Sequence, residues 1–192
     1  MEVSLRDGCS KLALVKLRLV HVEIWRASTT EVEAAFGLVE EYFARAGVLL
    51  RESKEKFAEA YFGAGRGFWL ARSQAHLAGC IGLRILRRTS DGERETESCA
   101  EIKRMYVRDK FRGQGIAQKL LEAAEGFARD AGYGWIYLDT TNEMQAAARL
   151  YERNGYQRCQ RYNDNVQATI FMRKELRVAS RKRGHTTTLA QS

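Results

Sequence analysis

No stretch of the 192-residue sequence approaches the roughly 18 consecutive apolar residues that a membrane-spanning helix requires. The first 20 residues also lack a continuous apolar segment and a small-residue cleavage site, and charged residues are scattered among them. Secretion is therefore not expected. We predict a cytoplasmic protein with no membrane partner.

Metal-binding patterns are absent as well. The four cysteines show no C-x-x-C pair and no Cys/His group at metal-ligand spacing. They are Cys9, Cys80, Cys99 and Cys159. We interpret them as reduced, mostly structural thiols and predict no metal site. The three histidines lie far in sequence from the motifs described below and are assigned no role.

The composition is that of an ordinary globular protein, with 45% hydrophobic and 29% charged residues. The formal net charge is +8, of which +4 belongs to residues 177–192, a segment without acidic residues. We predict an N-terminal extension (1–17), one domain (18–176) and a disordered basic tail (177–192). The body is only mildly basic, so nucleic acid is not an expected partner. A monomer or a homodimer is expected.

Hydrophobic periodicity predicts an α/β domain of mixed α+β character, in which helices and strands are interspersed along the chain. The predicted strands are 18–27, 67–73, 76–86, 98–107, 135–140, 156–162 and 166–176, and the predicted helices are 29–46, 52–63, 113–131 and 142–155. Residues 87–97 contain no apolar side chain, which indicates a solvated loop. A capping box from Asn142 to Gln145 is expected to start the last helix.

The sequence KFRGQGIA, residues 110–117, places two glycines before a long amphipathic helix, without a Ser, Thr, Asp or Asn to cap it. Free backbone N–H groups and the positive end of the helix dipole make such a start an anion-binding site. Gly113 and Gly115 remove the Cβ atoms that would separate these amides from a ligand, and Ala117 keeps the first turn slim. The pattern therefore suggests a site for a ligand's phosphates.

Positive charge lies close to this turn. Arg112, with Arg108 and Lys110 nearby, suits a diphosphate or a ribose phosphate. A glycine pair before a helix is, however, also typical of an ordinary tight strand-to-helix turn. The dinucleotide-binding fingerprint does not match, because Gln118 stands where its third glycine would be, and no Gly-Lys-Ser/Thr of a P-loop follows.

The order of motifs resembles that of the GNAT family of N-acetyltransferases. RGQGIA is similar to that family's Arg/Gln-x-x-Gly-x-Gly/Ala signature, and it lies after the strand AEIKRMYV and before the strand WIYLDT. A second similar motif, N-x-x-x-x-A-x-x-L-Y-x-x-x-G-Y, runs from Asn142 to Tyr156. The resemblance covers residues 18–176. One departure is that the chain has no proline, although members often carry one at the place of Arg108 or Asp109.

The resemblance implies a single domain with a mostly antiparallel, mixed sheet of six to seven strands. Helices would cover both faces, and a central strand pair would splay apart to admit acetyl-CoA. It implies acetyl-CoA as the acyl donor and cofactor, and an amine as the acceptor. The expected cofactor-binding residues are Met105, Tyr106, Val107, Arg112, Gly113, Gln114, Gly115, Ile116, Ala117 and Asn142.

Two residues are expected to be catalytic by the same resemblance. Tyr151 matches the family's tyrosine acid, whose phenol can protonate a departing thiolate. The alternative is that Tyr151 only packs on its helix. Glu101 is the candidate that accepts the amine's proton through water, and an exposed strand charge is the alternative. Alternation puts Glu101 and Met105 on one side of the strand and Arg104 on the other, unless a bulge intervenes.

The acceptor should lie between helices 29–63 and the turn RYNDN. The candidate substrate-binding residues are Arg104, Tyr162 and Asn165. The leading prediction is acetylation of a primary amine of a small molecule, because no peptide-binding module is attached. The alternatives are a protein N-terminal or lysine acetyltransferase and a non-catalytic acetyl-CoA-binding module.

Overall fold

A computed structural model describes residues 21–49, 51–87 and 98–176. The predicted extension 1–17, most of the predicted loop 87–97 and the basic tail 177–192 lie outside the described residues. The strands are β1 Val22–Arg26, β2 Gly67–Ser73, β3 His76–Leu86, β4 Cys99–Val107, β5 Trp135–Thr140, β6 Gln157–Arg158 and β7 Ile170–Glu175. The helices are α1 Val32–Arg45, α2 Lys54–Tyr61, α3 Ile116–Asp130 and α4 Gln145–Arg153.

The seven strands form one sheet in the order β1-β2-β3-β4-β5-β7-β6. All neighbours are antiparallel except β4 and β5, which are parallel because α3 connects them. The predicted mixed, mostly antiparallel α/β fold is confirmed.

Helices cover both faces of the sheet, as predicted. On one face, α1 and α2 enclose an aromatic core that includes Phe43, Phe57 and Phe68. The rings of Phe57 and Phe68 meet edge to face with centroids 4.9 Å apart. On the other face, α3 buries Ile116 and Leu120 against the strands, and α4 packs on the same core. The spacing of the apolar residues in α3 explains this single buried stripe.

The central strands β4 and β5 separate toward their carboxyl ends. They pair only from Cys99 to Ile102 of β4, while β4 continues to Val107. Beyond Ile102, one edge of β4 is therefore not hydrogen-bonded to β5. This opening is the splayed central pair that the sequence predicted.

A β-bulge lies at the point where β4 leaves β5. Arg104 has a positive φ of 57°, and the pairing with β3 shifts by one residue there. Arg104 consequently contacts the ring of Phe43 on the α1 side, whereas Met105 packs against the α3-side core that also contains Ile102. The unbroken alternation, which would place Arg104 with Ile102, does not hold.

Two residues of β3 accommodate this bulge. A Cβ on Gly79 would lie 2.4 Å from the carbonyl oxygen of Tyr106, so only glycine permits this approach of β3 to β4. The Sγ of Cys80 lies 3.4 Å from the carbonyl oxygen of Arg104 and donates to it. The bulge is thus built into the packing of two adjacent strands.

The ends of some elements differ from the predictions. α4 begins at Gln145 without a side-chain cap, so the predicted capping box from Asn142 to Gln145 is wrong. The backbone N–H of Asn142 instead donates to Oγ1 of Thr169 at 2.9 Å. The strand predicted at 156–162 is reduced to the two residues of β6, since only Gln157 and Arg158 pair with β7.

Candidate functional site

The start of α3 is free of side-chain caps. Gly115 is the residue before the helix, with φ +74°, and among the described residues no side-chain cap bonds to this helix start. Gly113 also has a positive φ of 76°. A Cβ at either position would meet no atom within 4 Å, so the backbone here faces open space. A helix start of this kind leaves several N–H groups for a ligand.

Arg112 lies beside this turn with its side chain 58% exposed. Its Nε donates to the carbonyl oxygen of Val107 at 3.2 Å, and its guanidinium lies 3.0 Å from the carboxylate of Asp109. Arg45 of α1 pairs with the same carboxylate. Two arginines are therefore gathered at the glycine turn, and an anion could compete with Asp109 for them.

Of the two other predicted cations, Lys110 lies over the ring of Phe111, 4.9 Å from its centroid, and Arg108 is held in the scaffold. Its guanidinium pairs with the carboxylate of Glu41 and donates to the carbonyl oxygen of Leu77 at 2.6 Å. Gln114 is fixed too, because its Oε1 accepts from the hydroxyl of the buried Ser73 at 3.1 Å. The side-chain oxygen of Gln114 is thus already engaged within the protein.

A cleft of about 1020 Å³ opens at the glycine turn and runs along the free end of β4. α1, the segment 141–147 and Gln167 form its other walls. Eight of the predicted cofactor-binding residues line it: Met105, Tyr106, Val107, Arg112, Gly113, Gly115, Ile116 and Ala117. The structure therefore brings together the strand end and the helix start that the sequence singled out.

The remaining predicted site residues are not among those that line this cleft. They are Gln114, Asn142, Tyr151, Glu101, Arg104, Tyr162 and Asn165. The two neighbours of Asn142, Thr141 and Glu143, do line it, and so does Leu150 beside Tyr151.

Tyr151 is only 4% exposed and belongs to the α3-side core, where its ring packs edge to face on Tyr156 with centroids 5.6 Å apart. Burial raises the pKa of the Tyr151 phenol well above its usual value, and the nearby Tyr42 and Asp139 raise it further. The phenol is consequently protonated at neutral pH.

Glu101 is fully buried and carries an ion-pair network. One carboxylate oxygen accepts from Arg84 at 2.7 Å, and the other lies 3.0 Å from Nζ of Lys103. The second oxygen also accepts from the hydroxyl of Tyr162 and the amide of Asn163, each at 3.0 Å. Both carboxylate oxygens of Glu101 thus have donors within the protein.

Asp139 of β5 extends this network. Its carboxylate lies 2.7 Å from Nζ of Lys103 and accepts from the amides of Asn163 at 2.8 Å and Asn165 at 3.2 Å. Burial alone would raise the pKa of this carboxyl group, but the ion pair with Lys103 and the amide hydrogen bonds outweigh it and lower the pKa. Asp139 is therefore ionised at neutral pH.

The predicted substrate residues also meet this network. Tyr162 and Asn165 bind it directly, as described, and the Tyr162 ring packs against Tyr137 with centroids 5.0 Å apart. Arg104 instead pairs with Glu52 at 2.8 Å, on the loop before α2. Each of these side chains is held by the protein itself.

Sequence reasoning did not single out several residues that line the cleft, among them Tyr42 and Gln167. Tyr42 belongs to α1 and lines the cleft beside Tyr106, with ring centroids 6.4 Å apart. Gln167 was predicted within the strand 166–176, whereas β7 begins only at Ile170, and no signal in the sequence indicates where its side chain goes. Both positions depend on contacts between segments far apart in the chain.

Neither a metal-binding cluster nor a membrane-spanning helix is found in the part of the chain that the structure describes. No group of three or more His, Cys, Asp or Glu side chains there could hold a metal ion. Among the same residues, every helix is too short or too polar to reach across a bilayer.

Relatives of known description match about half of this chain. N-acetyltransferase 8B of Homo sapiens is 30% identical over 112 residues, covering 58% of this chain and 48% of that protein. N-acetylaspartate synthetase of Danio rerio is 34% identical over 102 residues, covering 52% of this chain and 33% of that protein. The chain thus spans about half or less of the length of the curated relatives it matches.

The fold itself has close counterparts among solved structures. The structure of yncA from Salmonella typhimurium with its cofactor acetyl-CoA superposes with a TM-score of 0.64 at 17% identity, covering 80% of this chain and 93% of that one. The pattern of the Acetyltransferase (GNAT) family matches residues 33–156, which include the glycine turn, the splayed strands and α4. The chain therefore belongs to the Acetyltransferase (GNAT) family.

Proposed function

We propose that this protein is an acetyl-CoA-dependent N-acetyltransferase that acts on the primary amine of a small molecule. The observation that carries the proposal is the uncapped start of α3, which opens into the same cleft as the free end of β4. A relative of this fold has been solved with its cofactor acetyl-CoA. An N-acetyltransferase needs both a phosphate site and a slot for a long thioester arm, and the cleft offers both.

The residues at the glycine turn fit the phosphates of acetyl-CoA. The space in front of Gly113 and Gly115 is open, and the backbone amides from Arg112 to Ala117 would hold the diphosphate. Arg112 would add a permanent positive charge. Met105, Tyr106 and Val107 would offer main-chain groups to the pantetheine arm, as a sheet edge does to an added strand. Asn142 would contact that arm or the helix start. The group supplies an activated acetyl thioester when it is bound.

We propose Tyr151 as the proton donor to the departing thiolate. A phenol, with an ordinary pKa of about 10, is protonated at neutral pH, and burial raises the pKa of Tyr151 further. The thiol of CoA has a pKa of about 8.5, so the phenol is the weaker acid and donates only in concert with cleavage of the C–S bond, as negative charge forms on the sulfur. Burial beside the cleft also keeps the phenol away from bulk water, which favours a directed proton transfer.

For the amine's proton, the geometry favours a positioning role of Glu101 over direct acceptance. Both of its oxygens already accept from Arg84, Lys103, Tyr162 and Asn163. The carboxylate is also fully buried and is not among the groups that line the cleft, so an amine there does not contact it directly. We propose that Glu101 fixes Lys103 and Tyr162 at the acceptor side and that water in the cleft carries the proton away.

The side chains proposed to contact the acceptor favour a small molecule. Arg104, Tyr162 and Asn165 would contact the acceptor only at their exposed edges, since each is already bound within the protein. The matched relative from Danio rerio is an N-acetylaspartate synthetase, a name that indicates a small amine as acceptor for that protein. We therefore place amino acids and other small primary amines first.

Release of free thiol from acetyl-CoA tests this proposal directly. The purified protein would be mixed with acetyl-CoA and one acceptor at a time. The acceptors are amino acids, polyamines, a peptide with a free N-terminus and a lysine-containing peptide. We expect thiol release with at least one small amine and much less with either peptide. Release with peptides alone would support a protein acetyltransferase. Tight binding of acetyl-CoA without release for any amine would support a non-catalytic binding module.

A further inference from the structure

We propose that Gln167 is a specificity-determining residue, which closes the acceptor end of the cleft and restricts the acceptor to a small amine. This inference rests on the proposed function and adds a residue that limits the size of the acceptor. Gln167 belongs to the segment before β7, and its side chain lines the cleft together with Tyr42 and Ala46.

The side chain of Gln167 bridges the cleft to the loop after α1. Its Nε2 donates to the carbonyl oxygen of Gly47 at 3.1 Å, and its Oε1 accepts from the backbone N–H of Leu49 at 3.0 Å. One amide group thus satisfies a donor and an acceptor of the same loop, much as a neighbouring β-strand would. We call this pair of hydrogen bonds the Gln167 clasp.

The β7 side of the clasp is braced. The backbone N–H of Gln167 donates to Oδ1 of Asn165 at 3.2 Å, and the amide of Asn165 donates to Asp139 at 3.2 Å. Arg161 donates to the carbonyl oxygens of Asn165 at 3.0 Å and Ala168 at 3.2 Å. The backbone that carries Gln167 is therefore fixed relative to β5 and the buried charges beside it.

The α1 side of the clasp is braced as well. The backbone N–H of Val48 donates to the carbonyl oxygen of Phe43 at 3.0 Å, which continues the hydrogen bonding of the helix end. Gly47 has a positive φ of 61°, the left-handed conformation that commonly ends a helix. The loop that Gln167 reaches is thus presented by a stable helix terminus.

The Gln167 clasp joins the loop after α1 to the segment before β7 across the cleft. A larger acceptor must break the two hydrogen bonds of the clasp to enter. A small amine can lie beneath the clasp beside Tyr42. An amine carried on a polypeptide has chain on at least one side, which would have to pass where Gln167 crosses. Because both hydrogen bonds are to a partly exposed side chain, water can replace them when the clasp opens.

The test compares Gln167→Ala with Gln160→Ala. Gln160 is an exposed glutamine of the same segment, and no side-chain hydrogen bond joins it to the described residues. Gln167→Glu keeps the length and the acceptor oxygens but cannot donate to Gly47, so it removes half of the clasp. All three proteins should unfold cooperatively, and their affinity for acetyl-CoA should match that of the wild type.

Hydrogen exchange at the Leu49 amide reports the clasp itself. Exchange should accelerate by about tenfold or more in Gln167→Ala, by less in Gln167→Glu, and not in Gln160→Ala. Unchanged exchange in Gln167→Ala would show that the clasp does not hold this loop and would overturn the inference.

The ratio of kcat/KM for a peptide amine to kcat/KM for the preferred small amine reports selectivity. We expect this ratio to rise by about tenfold or more in Gln167→Ala, because only the larger acceptor was excluded. An unchanged ratio, with faster exchange at Leu49, would overturn the role in specificity while leaving the enzyme intact. Absence of thiol release for wild type and variants with every amine would instead remove the proposed function, and the specificity role with it.

Discussion

Two regions of the proposed site differ in how completely the protein satisfies its own polar groups. The proposed cofactor half comprises the strand end Met105–Val107 and the turn Arg112–Ala117, which line the cleft, and its helix start has no cap among the described residues. The proposed acceptor half comprises Glu101, Lys103, Asp139 and segment 159–169, of which Gln167 lines the cleft, and nearly every charge and amide in this half has a protein partner. Unpaired donors mark where a ligand binds, whereas paired charges mark a scaffold that positions the binding surface.

Glu101→Gln would break the acceptor half most severely. Removing the charge leaves Arg84 without its buried carboxylate and leaves Lys103 with only one of its two, Asp139, so we expect a loss of about 3–5 kcal/mol in the free energy of unfolding. Denaturant unfolding measures this change. Glu33→Gln, which removes the exposed partner of Lys54, is the control and should have no measurable effect. Wild-type stability of Glu101→Gln together with lost turnover would instead identify Glu101 as the catalytic base.

Tyr151→Phe tests the boundary between the two halves. Without the phenol the departing thiolate lacks its proton donor, so kcat should fall by about 100-fold or more. Affinity for acetyl-CoA, measured by calorimetry, should remain that of the wild type. The control is Tyr156→Phe, since the buried hydroxyl of Tyr156 has no hydrogen-bond partner among the described residues. Equal turnover of both variants would remove Tyr151 from the mechanism.

Gly115→Ala perturbs the cofactor half. Alanine at a φ of +74° costs about 1–2 kcal/mol, which favours a backbone rearrangement that turns the amides away from the ligand. We expect the Kd for acetyl-CoA to rise by about tenfold or more. Gly126→Ala is the matched control in the same helix, because its Cβ meets no atom within 4 Å and it has no positive φ. If the two variants bound acetyl-CoA equally well, the glycine turn would not be the phosphate site.

Acidification gives the smallest effect and probes the acceptor half again. The pKa of Asp139 is lowered in the folded state, so its ionised form stabilises the fold at pH values above the ordinary carboxyl pKa. This contribution is lost as the pH falls through the lowered pKa. We expect the unfolding free energy of the wild type to fall more between about pH 6 and about pH 3 than that of Asp139→Asn. Parallel curves of unfolding free energy against pH for the two proteins would contradict the ion pairing of Asp139. Asp164→Asn, at an exposed position, serves as the control.

Much of the fold followed from local patterns. The strands β2, β3 and β5 have the predicted bounds, because each is a short run of apolar or alternating residues between turn signals. The start of α4 was mispredicted, since the backbone N–H of Asn142 is bound by Thr169, a residue 27 positions away. Local propensity contains no information about such a partner.

The two halves of the site were predictable to different degrees. The glycine turn is encoded in consecutive residues, so its place in the cleft could be expected from RGQGIA together with the order of the neighbouring motifs. The network of Glu101 joins residues up to 62 positions apart, and the bulge at Arg104 depends on Gly79 and Cys80 in a neighbouring strand. Contacts of this kind arise only when the sheet is assembled, which is why Lys103, Tyr42 and Gln167 were missed.

The central claim is that the backbone amides at the start of α3 bind the phosphates of acetyl-CoA. An amide-resolved NMR titration of the wild-type protein with desulfo-CoA tests it most directly. We predict that the largest chemical-shift changes occur at the amides of Gly113 to Ala117 and that these changes saturate at the same ligand concentration. The amide of Gly126, further along the helix, should shift little. Saturable binding that leaves the amides of residues 113–117 unshifted would contradict the account.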